Sequence, residues 1–361
     1  MSESSLKIGL ALAGGGAKGA YQVGVVKAIS ELGIPVDCVA GASIGALNGA
    51  MISASGNMST AYERLLEVWS LLGSNSPVSF SSKLPINIAL MAASGAAFKA
   101  LPVLSSVIMG PLKLLEKAGV DEFFPQNEVL DSDFLVRLLE KYLSSQELRS
   151  GLPMFASVYE SSGAAMDICK VLLATFGIKN TQNSEYFHIQ SLSDSEMKLA
   201  LLASSALPVL YSSRMIEEKR YSDGGQGDWQ GETGNVPVKP LVDAKCNLII
   251  VGHLSDGSLW ERSAYSHVNF IEIRPRRSIS RSRGPLAGPK DLLGFRHDTI
   301  PSWIEQGYED AMYSLTRVLD VMSKYNKLQH SNRAVSVSLD DLGNADTALN
   351  KAFERIKLLN R

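Results

Sequence analysis

Two short, largely apolar runs near the start of the chain each end on glycine. Lys7–Ala13 (KIGLALA) is followed by three consecutive glycines, and Val36–Ala40 closes on Gly41. Runs of this kind lack the apolar–polar alternation of a half-exposed strand, and they predict strands covered on both faces in a parallel sheet. After each run the period changes. Ala20–Leu32 carries Val23, Val26 and Ile29 on one helical stripe and stops at Gly33. From Ile44 a helix of small residues begins (Gly45, Ala46, Gly49, Ala50), able to lie very close to a sheet. Two strand–tight loop–helix units in succession predict a parallel sheet layered with helices.

Serines and prolines gather from Gly73 to Pro85 and mark a boundary. Beyond it lies an apolar helical insert, expected over about residues 74–150, whose greasiest stretch is Leu84–Leu112. Lys99 divides that stretch into pieces shorter than the roughly 20 residues a membrane span needs, and Pro85, Pro102 and Pro111 interrupt it further. Asp133–Leu148 reads as an amphipathic helix. Strands are expected at Met154–Val158, Ala165–Lys170, Tyr186–Ile189, Lys219–Ser222, Asn247–Leu254 and Val268–Ile273, with a helix at Met197–Leu207. Arg274–Lys290 is Arg/Ser/Gly/Pro-rich and reads as a loop. Trp303–Tyr325 and Ala345–Leu359 have helical spacing. The expected organisation is an α/β domain over residues 1–300 and a helical extension over 301–361.

Composition narrows the function classes. A formal charge of −2 gives no bulk attraction to a nucleic acid polymer. Cys38, Cys169 and Cys246 form no metal-ligand spacing and read as free thiols of a reducing compartment. No signal peptide opens the sequence, so a cytoplasmic protein is expected.

Three glycine-rich loops carry the chemistry. Gly41-Ala42-Ser43-Ile44-Gly45 is a G-x-S-x-G between a strand and a helix. A serine on such a sharp turn has strained backbone angles, and the flanking Gly41 and Gly45 remove Cβ clashes. Its hydroxyl then stands at a helix N-terminus, where the dipole favours developing negative charge. Gly14-Gly15-Gly16-Ala17-Lys18-Gly19, also between strand and helix, can turn several N–H groups into one anion hole, with the Lys18 charge on the loop. Asp223-Gly224-Gly225 places a carboxylate after a strand, where the glycines let a second backbone come close.

These loops resemble the motifs of patatin-like phospholipases. Gly14–Gly19 resembles that family's oxyanion motif, Gly41–Gly45 its nucleophile elbow and Asp223-Gly224-Gly225 its dyad motif. Ala203–Pro208 resembles the helix end that precedes the dyad motif, and the order of the motifs fits as well. The resemblance covers about 6–72 and 151–275. It implies a three-layer fold with a mostly parallel sheet, Ser43 as nucleophile and Asp223 as base. Gly14, Gly15 and Gly16 would be oxyanion donors, with Lys18 and Gly19 shaping the loop. It also implies phospholipid or other acyl-lipid substrates, and no metal or cofactor. A base acting without histidine should be shielded from water and raised in pKa. Departing from the pattern, a long Gly-, Asp- and Trp-bearing insertion separates Gly225 from Asn235-Val236-Pro237.

Other readings of the same residues stay open. Gly14, Gly16 and Gly19 spell the G-x-G-x-x-G of a dinucleotide-binding unit, with Asp37 as the candidate ribose ligand. An α/β-hydrolase triad would need a histidine, and His253 at a strand end is the best candidate. A degenerate hydrolase fold acting as a binding scaffold is the third. The arginines at 274, 276, 277, 281 and 283 could meet a lipid headgroup at a peripheral membrane contact, or a signalling nucleotide as activator.

Overall fold

The computed structural model of the chain describes residues 6–74, 132–175, 177–206, 211–255, 260, 262–280 and 294–359. The apolar stretch Leu84–Leu112, and Arg281 and Arg283, lie outside the described residues. No described helix is long and apolar enough to cross a membrane.

The two opening units form as their pattern dictates. β1 (Ile8–Leu12) leads through a turn of 3-10 helix into α1 (Ala20–Glu31), and β2 (Cys38–Ala42) leads into α2 (Ile44–Ser53). Both strands are buried along their whole length, because helices cover both faces. The amphipathic α3 (Met58–Ser74) follows, with Leu65, Val68, Trp69 and Leu72 turned inward. Next come α4 (Ser132–Tyr142), α5 (Ser145–Ser150), β3 (Met154–Glu160), α6 (Ala164–Thr175), β4 (Glu185–His188) and α7 (Asp194–Ser204). β5 (Arg214–Ile216), β6 (Lys219–Asp223), α8 (Lys239–Asp243), β7 (Leu248–Gly252), β8 (Asn269–Ile273) and the 60-residue α9 (Ile300–Leu359) complete the order.

All eight strands belong to one sheet in the order β5-β6-β3-β2-β1-β7-β8, with β4 also on β3. β3, β2, β1, β7 and β8 run parallel, while β4, β5 and β6 pair antiparallel. β4 and β6 share the outer edge of β3, opposite Phe155–Val158 and Val158–Glu160 respectively. On one face α2 lies so close that a Cβ on Gly49 would press on Met154 and Val39. On the other, Ala11, Cys38 and Ala40 pack with Leu241 of α8, Val236, Val238, Cys246, Ile249 and Val251. The result is the expected three-layer arrangement.

Some expectations fail for local reasons. Ala165–Lys170 is helical, part of α6. Asp167 in its first turn accepts the Ser162 N–H at 3.0 Å, so a short segment that could have been a strand starts a helix instead. The helix expected over Asp133–Leu148 is two. Ser144 and Glu147 form a reciprocal capping box that begins α5 anew. The two C-terminal helical segments are one continuous α9.

The chain divides into two compact units, Met1–Ser314 and Leu315–Arg361. The first holds the sheet and the opening of α9, where Trp303 is buried and donates to the Ile279 carbonyl at 2.8 Å. The second is the rest of α9, with Val335, Leu339, Leu342 and Leu349 exposed.

Candidate active site

Register puts the two expected reacting side chains in one row across the sheet. Ala42 pairs with Ser157 and Val158 pairs with Asp223, so Ser43 and Asp223 stand on either side of Val158. Two strand spacings, about 10 Å between backbones, separate them, a gap that a serine and an aspartate side chain span when they lean together.

The elbow is strained as its motif requires. Ser43 has φ 52° and ψ −126°, and it caps the N-terminus of α2. A Cβ on Gly41 would collide with the Gly45 carbonyl, and one on Gly45 with the Leu12 carbonyl, so only glycine lets the chain turn this tightly. The end of α7 holds the turn in place. Ser204 Oγ accepts the Ser43 N–H at 3.1 Å and donates to the Ser157 carbonyl at 2.6 Å, while Ser205 Oγ donates to the Ser43 carbonyl at 3.3 Å. The Ala203–Ala206 part of the fourth motif is therefore a clamp on the elbow; Leu207 and Pro208 lie outside the described residues.

Asp223 ends β6, its own N–H bonded to the Ala206 carbonyl at 3.0 Å. A Cβ on Gly224 would strike the Ser157 carbonyl, so the loop can cross β3 only with glycine there. Asp223 Oδ1 accepts the Gly225 N–H at 2.8 Å, and Oδ2 is buried without a partner in hydrogen-bond geometry. Burial pushes the carboxyl up to about 6, and the nearby Ser43 hydroxyl and the Gly225 N–H draw it partly back. Ser43 is likewise almost wholly buried, at 7% exposure.

The glycine loop after β1 reaches the pair from the other side, as the parallel pairing of β1 and β2 demands. A Cβ on Gly14 would stand 3.1 Å from Ser43 Cβ. Gly14 does not have a free donor, however: its N–H is shared between Asn235 Oδ1 at 3.2 Å and the Asn235 carbonyl at 3.3 Å. The oxyanion donor expected at Gly14 is thus given to the scaffold, which leaves Gly15 and Gly16. Gly16 has φ 57°, the left-handed region that glycine favours. Lys18 closes the turn, its N–H on the Gly15 carbonyl at 3.3 Å, and Gly19 leaves room for Ile44 and Trp69.

Sequence reasoning missed the polar network beneath this loop. Gln22 of α1 donates to the Ala13 carbonyl at 2.8 Å. Asn48 of α2 donates to the Gly19 carbonyl at 3.1 Å and to Gln22 Oε1 at 2.9 Å, and receives Trp69 Nε1 of α3 at 3.0 Å. Both ends of the glycine loop are thereby fastened to buried amides. Polar residues at interior helical positions were the available signal, since Gln22 and Asn48 sit among small and apolar neighbours. The insertion after Gly225 is also tied down. Ser184 and Thr181 hydroxyls hold the Gly224 and Gln226 carbonyls, each at 2.6 Å, and Ser157 Oγ holds that of Gly234 at 2.7 Å.

The dinucleotide and triad readings lose their key residues. Asp37 lies at the opposite end of β2 from the glycine loop, accepting the Ile8 N–H at 2.6 Å, so no ribose contact is open to it beside that loop. His253 is fully buried and paired through Nε2 with Glu272 Oε2 at 3.0 Å. The hydrogen bonds of Ser43 and Asp223 among the described residues involve no histidine. Of the arginine cluster, Arg274 pairs with Glu272, Arg276 with Asp310 at 2.7 Å and Arg277 with Glu309 at 3.0 Å.

Neuropathy target esterase sws of Drosophila melanogaster is 54% identical over 63 residues, 18% of this chain and 4% of that protein. Lysophospholipase nte1 of Aspergillus terreus is 46% identical over 67 residues, 19% of this chain and 4% of that protein. The match therefore spans about a twenty-fifth of these relatives' length. Among solved structures, VipD from Legionella pneumophila aligns with a TM-score of 0.43 at 15% identity, over 87% of this chain and 67% of that one. Residues 10–242 match the family described as patatin-like phospholipase, and the chain belongs to that family of lipid acyl hydrolases.

Proposed function

We propose that the chain hydrolyses acyl esters of membrane phospholipids through a Ser43–Asp223 dyad. The observation that carries the proposal is the shielded pairing itself: a strained serine at a helix N-terminus beside a buried carboxyl raised to about 6 and free of histidine. Ser43 Oγ attacks the ester carbonyl as its proton passes to Asp223. The tetrahedral oxyanion then accepts N–H groups of Gly15 and Gly16, helped by the α2 dipole. Collapse returns the proton to the departing alcohol and leaves an acyl-Ser43 ester. Water, deprotonated by Asp223, attacks that ester and frees the fatty acid. The carboxyl's pKa suits this exchange, since it is ionised near neutrality yet basic enough to take a proton.

A phospholipid acyl ester lies below the headgroups, so the site has to meet a membrane surface peripherally. Activation by a signalling nucleotide is not part of the proposal, because Arg274, Arg276 and Arg277 are already engaged by carboxylates. Ser43→Ala is expected to abolish both phospholipid hydrolysis and labelling by a fluorophosphonate, with the melting temperature retained. Labelling that persists in a folded Ser43→Ala protein would overturn the assignment.

A further inference from the structure

Asn235 follows the insertion that departs from the family pattern, and its contacts reach both halves of the site. Its side-chain oxygen accepts the Gly14 N–H at 3.2 Å, and its main-chain oxygen accepts the same group at 3.3 Å. A Cβ at Gly14 would lie 2.6 Å from that amide oxygen and 3.1 Å from Ser43 Cβ. A Cβ at Gly225 would lie 3.1 Å from the same oxygen and 3.0 Å from Asp223 Oδ1. The amide oxygen thus lies between Gly14 of the oxyanion loop and Gly225 of the dyad turn.

The residue is itself held from behind. Ser157 Oγ, on the strand between the two reacting residues, fixes the Gly234 carbonyl at 2.7 Å, and Tyr186 fixes that of Thr233 at 2.9 Å. Within the insertion, Asp228 receives Thr233 Oγ1 at 2.8 Å and Asn180 Nδ2 at 2.6 Å. The insertion therefore delivers Asn235 to one place.

We propose that Asn235 is a positioning residue: by holding the Gly14 N–H it turns Gly15 and Gly16 toward Ser43, and it couples that loop to the Asp223 turn. The role rests on the proposed hydrolase reading and deepens it. A neutral amide is the side chain that does this without penalty. It accepts the N–H as a carboxylate would, but it brings no second negative charge beside Asp223.

The test uses the full chain, a short soluble aryl ester and two variants. Asn235→Ala loses the side-chain acceptor and leaves the Gly14 N–H only the main-chain carbonyl at 3.3 Å, so the loop loosens and kcat should fall about 10- to 100-fold with KM little changed, because the donors meet charge that develops in the transition state. Asn235→Asp keeps the acceptor but adds a carboxylate at the dyad. The acid limb of kcat/KM should then move up by about one pH unit or more. A residue that merely stabilised the fold would leave that limb in place, and circular dichroism confirms folding in each case. Unchanged kcat in Asn235→Ala, or an unmoved limb in Asn235→Asp, would overturn the inference. Ser43→Ala run alongside separates the two readings: if it stays active, the proposed reaction fails, and if it is dead while both Asn235 variants behave as wild type, only the positioning role fails.

Discussion

A carboxyl buried in a dry site is held against the interest of stability. Asp223 keeps its proton up to about pH 6 in the folded chain, whereas an unfolded aspartate loses it near 4. The folded state thus binds the extra proton, and the fold loses stability as pH rises through that window, by up to about 3 kcal/mol once Asp223 is ionised. Asp223→Asn removes the charge and keeps an acceptor for the Gly225 N–H. The variant should therefore melt higher than wild type at pH 8, match it near pH 4, and hydrolyse nothing. Wild-type kcat/KM should fall as pH drops below about 6. Paired melting curves at the two pH values check this, and an Asn variant less stable at pH 8 would show that burial is not what raises the carboxyl. At this scale the sequence was readable where a motif imposes a backbone demand. Gly41, Gly45 and Gly224 each stand where a Cβ would strike a carbonyl, and each was legible as part of a glycine motif that follows a strand. Asn235, Gln22 and Asn48 impose none, and their roles appear only once other strands and helices bring a carbonyl or an N–H to their amides.

Elements were legible in proportion to how much of their pattern is local. β1, β2, β7 and β8 read directly as buried runs, while α6 was mistaken for a strand because six residues are too few to show a helical period. The packing of α9 on α1 had no signal at all. It depends on two glycines far apart in sequence: a Cβ on Gly24 would collide with the Ile304 carbonyl, and one on Gly307 with the Tyr21 carbonyl. The helices cross backbone to backbone there, and Tyr21 OH reaches Asp310 at 3.0 Å. Gly307→Leu should force the crossing apart and cost roughly 1–3 kcal/mol, measured by urea denaturation. The same substitution at Gly343, where open space surrounds the glycine, should not destabilise the protein and serves as its control. Equal effects at the two positions would mean that helix propensity, not the crossing, governs the loss.

At the scale of the molecule, the question is how much of α9 the catalytic unit needs. The sequence suggested a division near residue 300, where a loop gives way to helical spacing. Contacts within the first unit continue past that point. Trp303 is buried under the Ile279 carbonyl, Ala311 is fully buried, and Asp310 accepts from Tyr21 OH and from Arg276 Nε. These contacts are invisible to a boundary drawn from composition, because the helix carries no break where its role changes. From residue 316 onward, among the side chains described, none is buried. A chain ending at Arg317 should therefore keep the cooperative melt of the full chain and label at Ser43 at the same rate. One ending at Thr299 would strip Tyr21 and Arg276 of their shared carboxylate and bare the site of Trp303, burial worth about 3–5 kcal/mol for a tryptophan alone. Against a total stability of about 5–15 kcal/mol, that loss should leave the shorter chain aggregating or protease-sensitive. Limited proteolysis and fluorophosphonate labelling of the two truncations decide it: a Thr299 chain as stable as the Arg317 chain would make the opening of α9 an appendage, and a dead, unfolded Arg317 chain would extend the catalytic unit into the exposed helix.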